Sequence, residues 1–436
     1  MVRPGHDHRD TGNDTIDGQA AADTLTGSDG NDVVRGGDGA DTIAGGTGAD
    51  DLAGGTGNDV LHGDDGDDAL AGDDGDDRLT GDDGIDSLAG GAGDDALDGA
   101  RGADRLAGGA GTDTVSYEAA EAAVTVSLNA ANDDGIAGEG DNVAGDVERI
   151  VGSSNDDALA GDDAPHTLIG GAGDDVLTGG RGPDTLSGGP GEDTLDGGQG
   201  ADVLSGGEDL DTVTYASRLA GVTADLNGRA SGEPGEGDRL DNSDENVVGG
   251  SGADTIVGAA NVTNRVSGGP GNDTILLAGD PVAADSATCG LGADTVRLDR
   301  IDTFSDDCET AYVDGRVARP SGPPRVFVLR HTVRAGGDGV ITLLLRCKAA
   351  TRGVCSGTAA LSFNSGGKRG TASGRVRVLP GADRRVPIRL TPYSKHLLAR
   401  RKRMVAGRLH IRVRDVLGRQ ATRTVTLRVR PPLWGS

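Results

Sequence analysis

Residues 9–116 divide into twelve rows of nine with no remainder and no slip of phase, and this period limits what the chain can become more than any other feature. A typical row reads GGTGNDVLH, from Gly54 to His62. Position six is always Asp: Asp14, Asp23, Asp32, Asp41, Asp50, Asp59, Asp68, Asp77, Asp86, Asp95, Asp104 and Asp113. Position eight is always aliphatic, as in Ile16, Leu25, Val34, Ile43, Leu52 and Leu61. Seven further rows fill residues 152–214, and a patchier run begins at Gly249. They extend the set of sixth-position residues to Asp157, Asp175, Asp184, Asp193, Asp202 and Asp211, and then to Asp254, Asp273 and Asp294.

Each position has a physical reading. Gly at one, two and four permits the positive backbone angles of a tight turn and lets carbonyl oxygens converge. Glycine this frequent excludes helix, at a cost of about 1 kcal/mol per occurrence. Positions seven to nine predict a three-residue strand whose middle, aliphatic side chain alone points inward. Two rows then make one coil of a parallel solenoid, and turns on one edge come from rows two apart, stacked at about 4.8 Å. Asp41 and Asp59 face one gap, Asp50 and Asp68 another. Carboxylates about 5 Å apart repel by roughly 3 kcal/mol at an effective dielectric of 20, so a cation belongs between them. A hard divalent ion with many flexible oxygen ligands fits best: Cys and His clusters at zinc spacing are missing, and calcium tolerates irregular geometry better than magnesium. One aliphatic side chain per nine residues buries little, so the metal-free region is expected to be largely disordered and to fold on calcium.

GGTGNDVLH, GGAGDDVLT and GGPGNDTIL, in rows that open at Gly54, Gly170 and Gly268, resemble the glycine-rich nonapeptide of the RTX, or haemolysin-type calcium-binding, family. The resemblance covers most of residues 9–297. It implies a parallel β-roll, several calcium ions held by the sixth-position Asp and neighbouring carbonyls, and an extracellular protein that folds after export. In the row from Gly161 to Ile169, Ala164 and His166 replace Gly and Asp, so no site is assigned there. Ala21 and Asp209 replace the fourth-position Gly, which weakens Asp23 and Asp211 as ligands. The rows at Gly63 and Gly72 carry extra carboxylates that either coordinate or add repulsion.

Two interruptions, residues 117–151 and 215–248, are similar to each other: Tyr117, VTVSLN and GEGDN in the first match Tyr215, VTADLN and GEGDR in the second. They read as irregular coils with Val124, Val126 and Leu128 inward, or more sharply as added ion sites at Glu139 and Asp141, and at Glu236 and Asp238.

Charge divides the chain. Up to Arg319 there are 68 acidic and 16 basic residues, and from Pro320 onward 3 and 25, within an overall formal charge of -30. The acidic part excludes wholesale nucleic-acid binding. Pro320, Pro323 and Pro324 mark residues 317–325 as a linker. The basic part, 326–432, reads as seven alternating strands: RVFVLRHTV, GVITLLLRC, GTAALSF, GRVRVL, RRVPIRL, GRLHIRVRD and TRTVTLRVR. This predicts an immunoglobulin-like β-sandwich, with Lys395–Met404 as a short helical connection. Its Arg residues are either a solvated outer face or an anion-binding surface for a cell-surface polymer, an acidic glycan or the chain's own acidic roll. Sparse aromatics argue against nucleic acid.

The organisation expected is therefore an N-terminal tail (1–8), a roll (9–116), an insertion (117–151), a second run (152–214), a second insertion (215–248), a third run with end cap (249–316), the linker and the sandwich. Cys289 with Cys308 and Cys347 with Cys355 is the simplest of three disulfide pairings, and oxidised thiols favour an extracellular location. No run of 18 apolar residues predicts a transmembrane segment. The opening MVRPGHDHRD lacks an apolar signal core, which implies a truncated start, another export route or an internal protein.

Catalysis has little support. With 78 Gly and only three Phe, four Tyr and one Trp, an ordinary enzyme core is hard to build. HExxH and GxSxG are missing, and the His residues are scattered. The expectation is a secreted, non-catalytic calcium-binding repeat protein serving as a structural, adhesive or surface-associated module. The alternative is an extracellular polysaccharide-modifying enzyme that uses the roll as scaffold, and a spacer or ice-binding rod would need a more regular Thr face than positions seven and nine provide.

Overall fold

The structure is a computed structural model. It describes residues 7–8 and 11–318, apart from 129–130, 132, 242, 261, 278–282, 306, 309 and 314–315, and beyond these the backbone of eight strands between 325 and 430. The chain forms two compact units, residues 1–287 and 288–436. Among the described residues every regular element is a strand.

The first unit is a parallel β-solenoid, as the rows predict. Alternate rows stack in register two rows apart: Leu52 pairs with Leu70 and Leu61 with Leu79. One sheet takes Thr24–Asp29, Thr42–Thr47, Val60–Asp65 and their successors, and the rows between build a second sheet from Thr15–Ala20 to Arg105–Ala110. The eighth-position side chains form the core, with Val34, Ile43, Leu52 and Leu61 each 0 % exposed.

The strands are longer than positions seven to nine allow. Asp51–Thr56 runs from position seven through position three of the next row, with Leu52 and Gly54 buried. Position one therefore continues the strand as a second inward residue, and only positions two and four turn the chain: Gly55 has φ 109° and Gly57 φ 123°. Ala21 and Asp209 take the same positive φ at position four, 117° and 78°.

The two insertions relay the sheets. At the first, Val115 pairs directly with Ile150, so the first sheet continues unbroken. The second sheet instead ends on Asn142–Val143, and the parallel ladder of a third begins at Val124–Ser127, paired with Ala158–Ala160 and edged by antiparallel Gly135–Ile136. At the second insertion the roles exchange. Val213 pairs with Val247 and the third sheet continues, whereas the parallel ladder of the first ends at Asp238–Leu240, edged by antiparallel Ala230–Ser231, and a fourth starts at Thr223–Asp225. Val124, Val126 and Leu128 point inward as expected.

In the second unit Thr295–Leu298 pairs parallel with Thr310–Val313, and a disulfide joins Cys289 to Cys308. Every one of the seven basic segments falls on a strand, the first as two, Arg325–Val328 and Thr332–Arg334. The eight strands share one hydrogen-bonded order, antiparallel except where Thr332–Arg334 meets Gln420–Arg430. The side chains of Cys347 and Cys355, residues 319–324 of the linker and Lys395–Met404 lie outside the described residues.

Candidate metal centre

The solenoid brings the sixth-position aspartates into stacks along its edges. In each stack the backbone N–H of one Asp donates to Oδ1 of the Asp two rows on: Asp41 to Asp59, Asp50 to Asp68 and Asp59 to Asp77, all at 2.7 Å. The period brings this hydrogen bond about, since residues two rows apart lie on adjacent coils, and the donating N–H is that of the residue just before a strand, as Asp41 is before Thr42–Thr47. Half of each carboxylate is thus used by the chain.

The other half is not. In sixteen of the 21 candidate residues Oδ2 is buried and accepts no hydrogen bond: Asp32, Asp41, Asp50, Asp59, Asp68, Asp77, Asp86, Asp95, Asp104, Asp113, Asp175, Asp184, Asp193, Asp202, Asp211 and Asp254. None of these side chains belongs to a residue more than 3 % exposed. A buried carboxylate oxygen without a partner is costly enough that natural proteins rarely keep one, and here it recurs row after row.

Glycine at position one explains the space in front of that oxygen. A Cβ on Gly54 would lie 2.3 Å from Asp59 Oδ2 and 2.8 Å from the carbonyl oxygen of Gly72. One on Gly36 would lie 2.3 Å from Asp41 Oδ2 and 2.6 Å from the Gly54 carbonyl. A carboxylate oxygen of one coil and a carbonyl oxygen of the next therefore line a gap that only glycine leaves open. Among the described residues no group of three His, Cys, Asp or Glu converges. An ion held here takes one or two carboxylates and completes its shell with carbonyls, which suits calcium and does not suit zinc.

Electrostatics agree with a missing positive charge. Burial pushes the Asp68 carboxyl up to about 7; the Asp50 N–H opposes this, and the charges of Asp86, Asp50 and Asp64 add to it. Asp104, Asp175 and Asp202 also rise to about 7, and Asp77, Asp86, Asp113, Asp184 and Asp211 to about 6, with burial the first cause throughout. Asp64 and Asp73, the extra carboxylates at position two, add to the repulsion on Asp50 and Asp59.

The remaining candidates differ. Asp14 is half-buried and Asp23 is 9 % exposed at the start of the stacks. Asp157 has no open oxygen: Oδ1 accepts from Val124 N and Ser153 Oγ at 2.7 and 2.9 Å, and Oδ2 from Ser153 N at 2.5 Å. Asp273 receives the Asp254 N–H on Oδ1 at 3.0 Å, and Asp294 is buried in the second unit. Asp211 keeps its open Oδ2 despite Asp209. His166 stays in its stack through its N–H to Asp184 Oδ1, but its ring fills the gap: a Cβ on Gly161 would meet the imidazole Cδ2 at 2.7 Å, and Nε2 lies 2.9 Å from Asp162 Oδ1.

Sequence reasoning missed several members. Glu148 and Glu245 take the place of the sixth-position Asp after each insertion, accepting the N–H of Asp113 and Asp211 at 2.9 and 3.1 Å. Each stands two residues before an inward aliphatic, Ile150 or Val247, which was the available signal. Asp244, fully buried with an open Oδ2, is pushed up to about 8 by burial and Asp241, and its position off the repeat offered no signal.

A family model described as the RTX calcium-binding nonapeptide repeat (4 copies) matches residues 8–43, 44–79, 80–115, 151–186, 178–213, 241–275 and 261–279. The matches stop at residue 115 and resume at 151, and stop at 213 and resume at 241, within the second insertion. No curated protein matches the chain. Among the described residues no helix is long and apolar enough to cross a membrane.

Proposed function

Through the repeats it carries within residues 8–279 this chain belongs to the RTX calcium-binding nonapeptide repeat family, and on that premise we propose that it is a secreted protein whose roll folds when calcium enters the gaps between coils. The observation that carries this reading is the run of buried, unpartnered Oδ2 atoms along both edges of the solenoid. Calcium supplies the positive charge these oxygens lack. The chain's own part is to place them: Oδ1 is held by the N–H of the neighbouring coil, position-one Gly keeps the gap open, and the turn carbonyls face it. Each coil added on a bound ion presents the next half-built gap, so folding and loading proceed together.

We take the module as structural, adhesive or surface-associated rather than catalytic. The stacked carboxylates are buried and do not reach a polymer lying on the roll. The basic strands beyond residue 325 are proposed as an immunoglobulin-like sandwich that meets an anionic cell-surface polymer, given the 25 basic and 3 acidic residues from Pro320 onward. Circular dichroism of the whole chain tests the central reading. Strand signal is expected to rise with calcium and fall in excess chelator, and strand content indifferent to the chelator rejects it.

A further inference from the structure

Between Asp113 and Asp175, each of which leaves Oδ2 open, the run of unpartnered carboxylate oxygens stops. Asp157 has three donors, Val124 N and Ser153 Oγ on Oδ1 and Ser153 N on Oδ2. Asp134, 1 % exposed, accepts from Ser127 N at 2.7 Å on Oδ1 and from Val143 N at 2.9 Å on Oδ2. Asp141 accepts the Asp104 N–H on Oδ1 and the Tyr117 O–H on Oδ2, both at 3.0 Å. The two Glu139 oxygens accept the N–H groups of Gly102 and Ile136, both at 3.1 Å, so this pair offers no open oxygen to an added ion. His166 closes the remaining place, since its ring carbon Cδ2 rather than a carboxylate oxygen faces position-one Gly161. Among the described residues of this stretch, the one buried side-chain polar atom without a partner is a ring nitrogen, His166 Nδ1.

The same stretch is closed on itself. Thr114–Ser116, Arg149–Val151 and Thr167–Ile169 form consecutive rungs of the first sheet, and Val124–Ser127 pairs with Ala158–Ala160 in the third. Residues 115–168 bury ten apolar side chains, where the equal length of regular rows from 9 to 62 buries six. The insertion itself supplies Tyr117, Val124, Val126, Leu128, Val143 and Val147. The second insertion is a matched comparison, for residues 213–266 bury ten as well. There, however, Asp254 takes the Val222 N–H at 2.9 Å on Oδ1 and keeps an unpartnered Oδ2, and Gly250 stands where Ser153 does. Asp244 Oδ2 and Asn246 Oδ1 are also buried without a partner. The two stretches match in apolar count and differ in whether the chain alone satisfies its buried oxygens.

We propose that residues 114–169 are a calcium-independent seed: this stretch stays folded when the ion is removed, and calcium-loaded coils extend from it toward both ends of the roll. The inference rests on the calcium-roll reading and adds where folding begins. In a solenoid each coil contacts only its neighbours, so folding starts where intrinsic stability is highest and propagates. A buried carboxylate oxygen without a partner is costly. The adjoining rows leave one each until an ion arrives, and the seed leaves none.

Hydrogen–deuterium exchange of the whole chain, read by mass spectrometry, tests this. In excess chelator residues 114–169 are expected to exchange on the order of tenfold or more slowly than residues 211–267, the factor that one unpartnered buried oxygen brings. After calcium is added, protection is expected to reach residues 96–113 and 176–190 before residues 15–38. Val126→Ala is expected to remove the protection seen in chelator, whereas Leu52→Ala, a core truncation in a regular row, leaves it unchanged. His166→Asp puts a carboxylate oxygen back in the gap, and residues 114–169 of that variant are expected to be protected in calcium and not in chelator. Exchange in chelator as fast at 114–169 as at 211–267 overturns the inference, and the calcium roll stands if calcium then protects both. A roll protected throughout in chelator overturns both readings.

Discussion

Asp59 separates the two jobs of a stacked carboxylate. It lies mid-run, 1 % exposed, accepting the Asp41 N–H on Oδ1 at 2.7 Å and leaving Oδ2 open to the gap behind Gly54. Asp59→Asn keeps an acceptor for Asp41 and removes the charge; Asp59→Ala removes both. A ligand at about 100 times its Kd stabilises the folded state by about 2.7 kcal/mol, so losing one ion is expected to cost Asp59→Asn about 2–3 kcal/mol in saturating calcium. Asp59→Ala strands the buried Asp41 N–H as well, for a further cost of roughly 1–3 kcal/mol. In chelator the sign reverses for Asn. Removing one of two charges about 5 Å apart relieves up to roughly 3 kcal/mol of repulsion at an effective dielectric of 20, so Asp59→Asn is expected to gain strand content there. Urea unfolding followed by circular dichroism, in calcium and in chelator, measures both limbs. Equal destabilisation of Asp59→Asn in the two media refutes the reasoning, because a purely structural carboxylate would lose the same in each.

Further outcomes follow from the same geometry. Folded-state carboxyls raised to about 6 or 7, as at Asp68, Asp77, Asp104 and Asp202, lie above the ordinary value of 3.8. Protons therefore favour the metal-free roll: its stability is full below about pH 4 and is lost as pH rises through 6–7, whereas calcium-dependent stability is lost as pH falls through that range. Circular dichroism against pH, with and without chelator, should give opposite slopes. Gly54→Ala sets a Cβ 2.3 Å from Asp59 Oδ2 and is expected to cost about 1–3 kcal/mol and one ion, while Gly55→Ala, whose Cβ would lie 2.2 Å from the Gly37 carbonyl oxygen at φ 109°, is expected to cost about 1–3 kcal/mol and no ion. Urea midpoints compare them. Reducing Cys289–Cys308 opens a loop of sequence separation 19, for an expected loss of about 3 kcal/mol, visible as faster hydrogen exchange in residues 289–313 while the roll signal in calcium stays.

The period made the solenoid, its core and the alignment of Asp41 with Asp59 legible, because a repeat of nine with one aliphatic and one Asp per row admits one stacking. The role of position one was not legible. Glycine there looks like turn chemistry, yet Gly54 lies inside a six-residue strand and is required by what stands in front of it, the open oxygen of Asp59. The stack members Glu148 and Glu245 escaped for another reason. Membership depends on which coil lies next in space, and the insertions replace the offset of 18 by 35 between Val115 and Ile150 and by 34 between Val213 and Val247. The basic segments were readable as strands from alternation alone, since a strand face needs no knowledge of its partner.

The relay of sheets explains how a roll under this much internal repulsion survives two interruptions. A fault that broke both sheets at one level would leave two solenoids joined by loops, each exposing an unpaired edge. Here the first sheet crosses the first insertion and the third crosses the second, so at each level one ladder stays unbroken while the other is exchanged. The exchange also ends one stack of carboxylates and starts another. Tyr117 and Tyr215 cap the ended stacks with a neutral O–H where the regular rows offer an open oxygen. Val124 N and Val222 N begin the new ones by donating to Asp157 and Asp254. The insertions are therefore the points at which a charged stack is stopped and restarted without loss of the core: Ile150 and Val247 remain 0 % exposed through the change. Capping by tyrosine rather than by another aspartate is what a last coil requires, because beyond it no further turn supplies the carbonyls an ion needs.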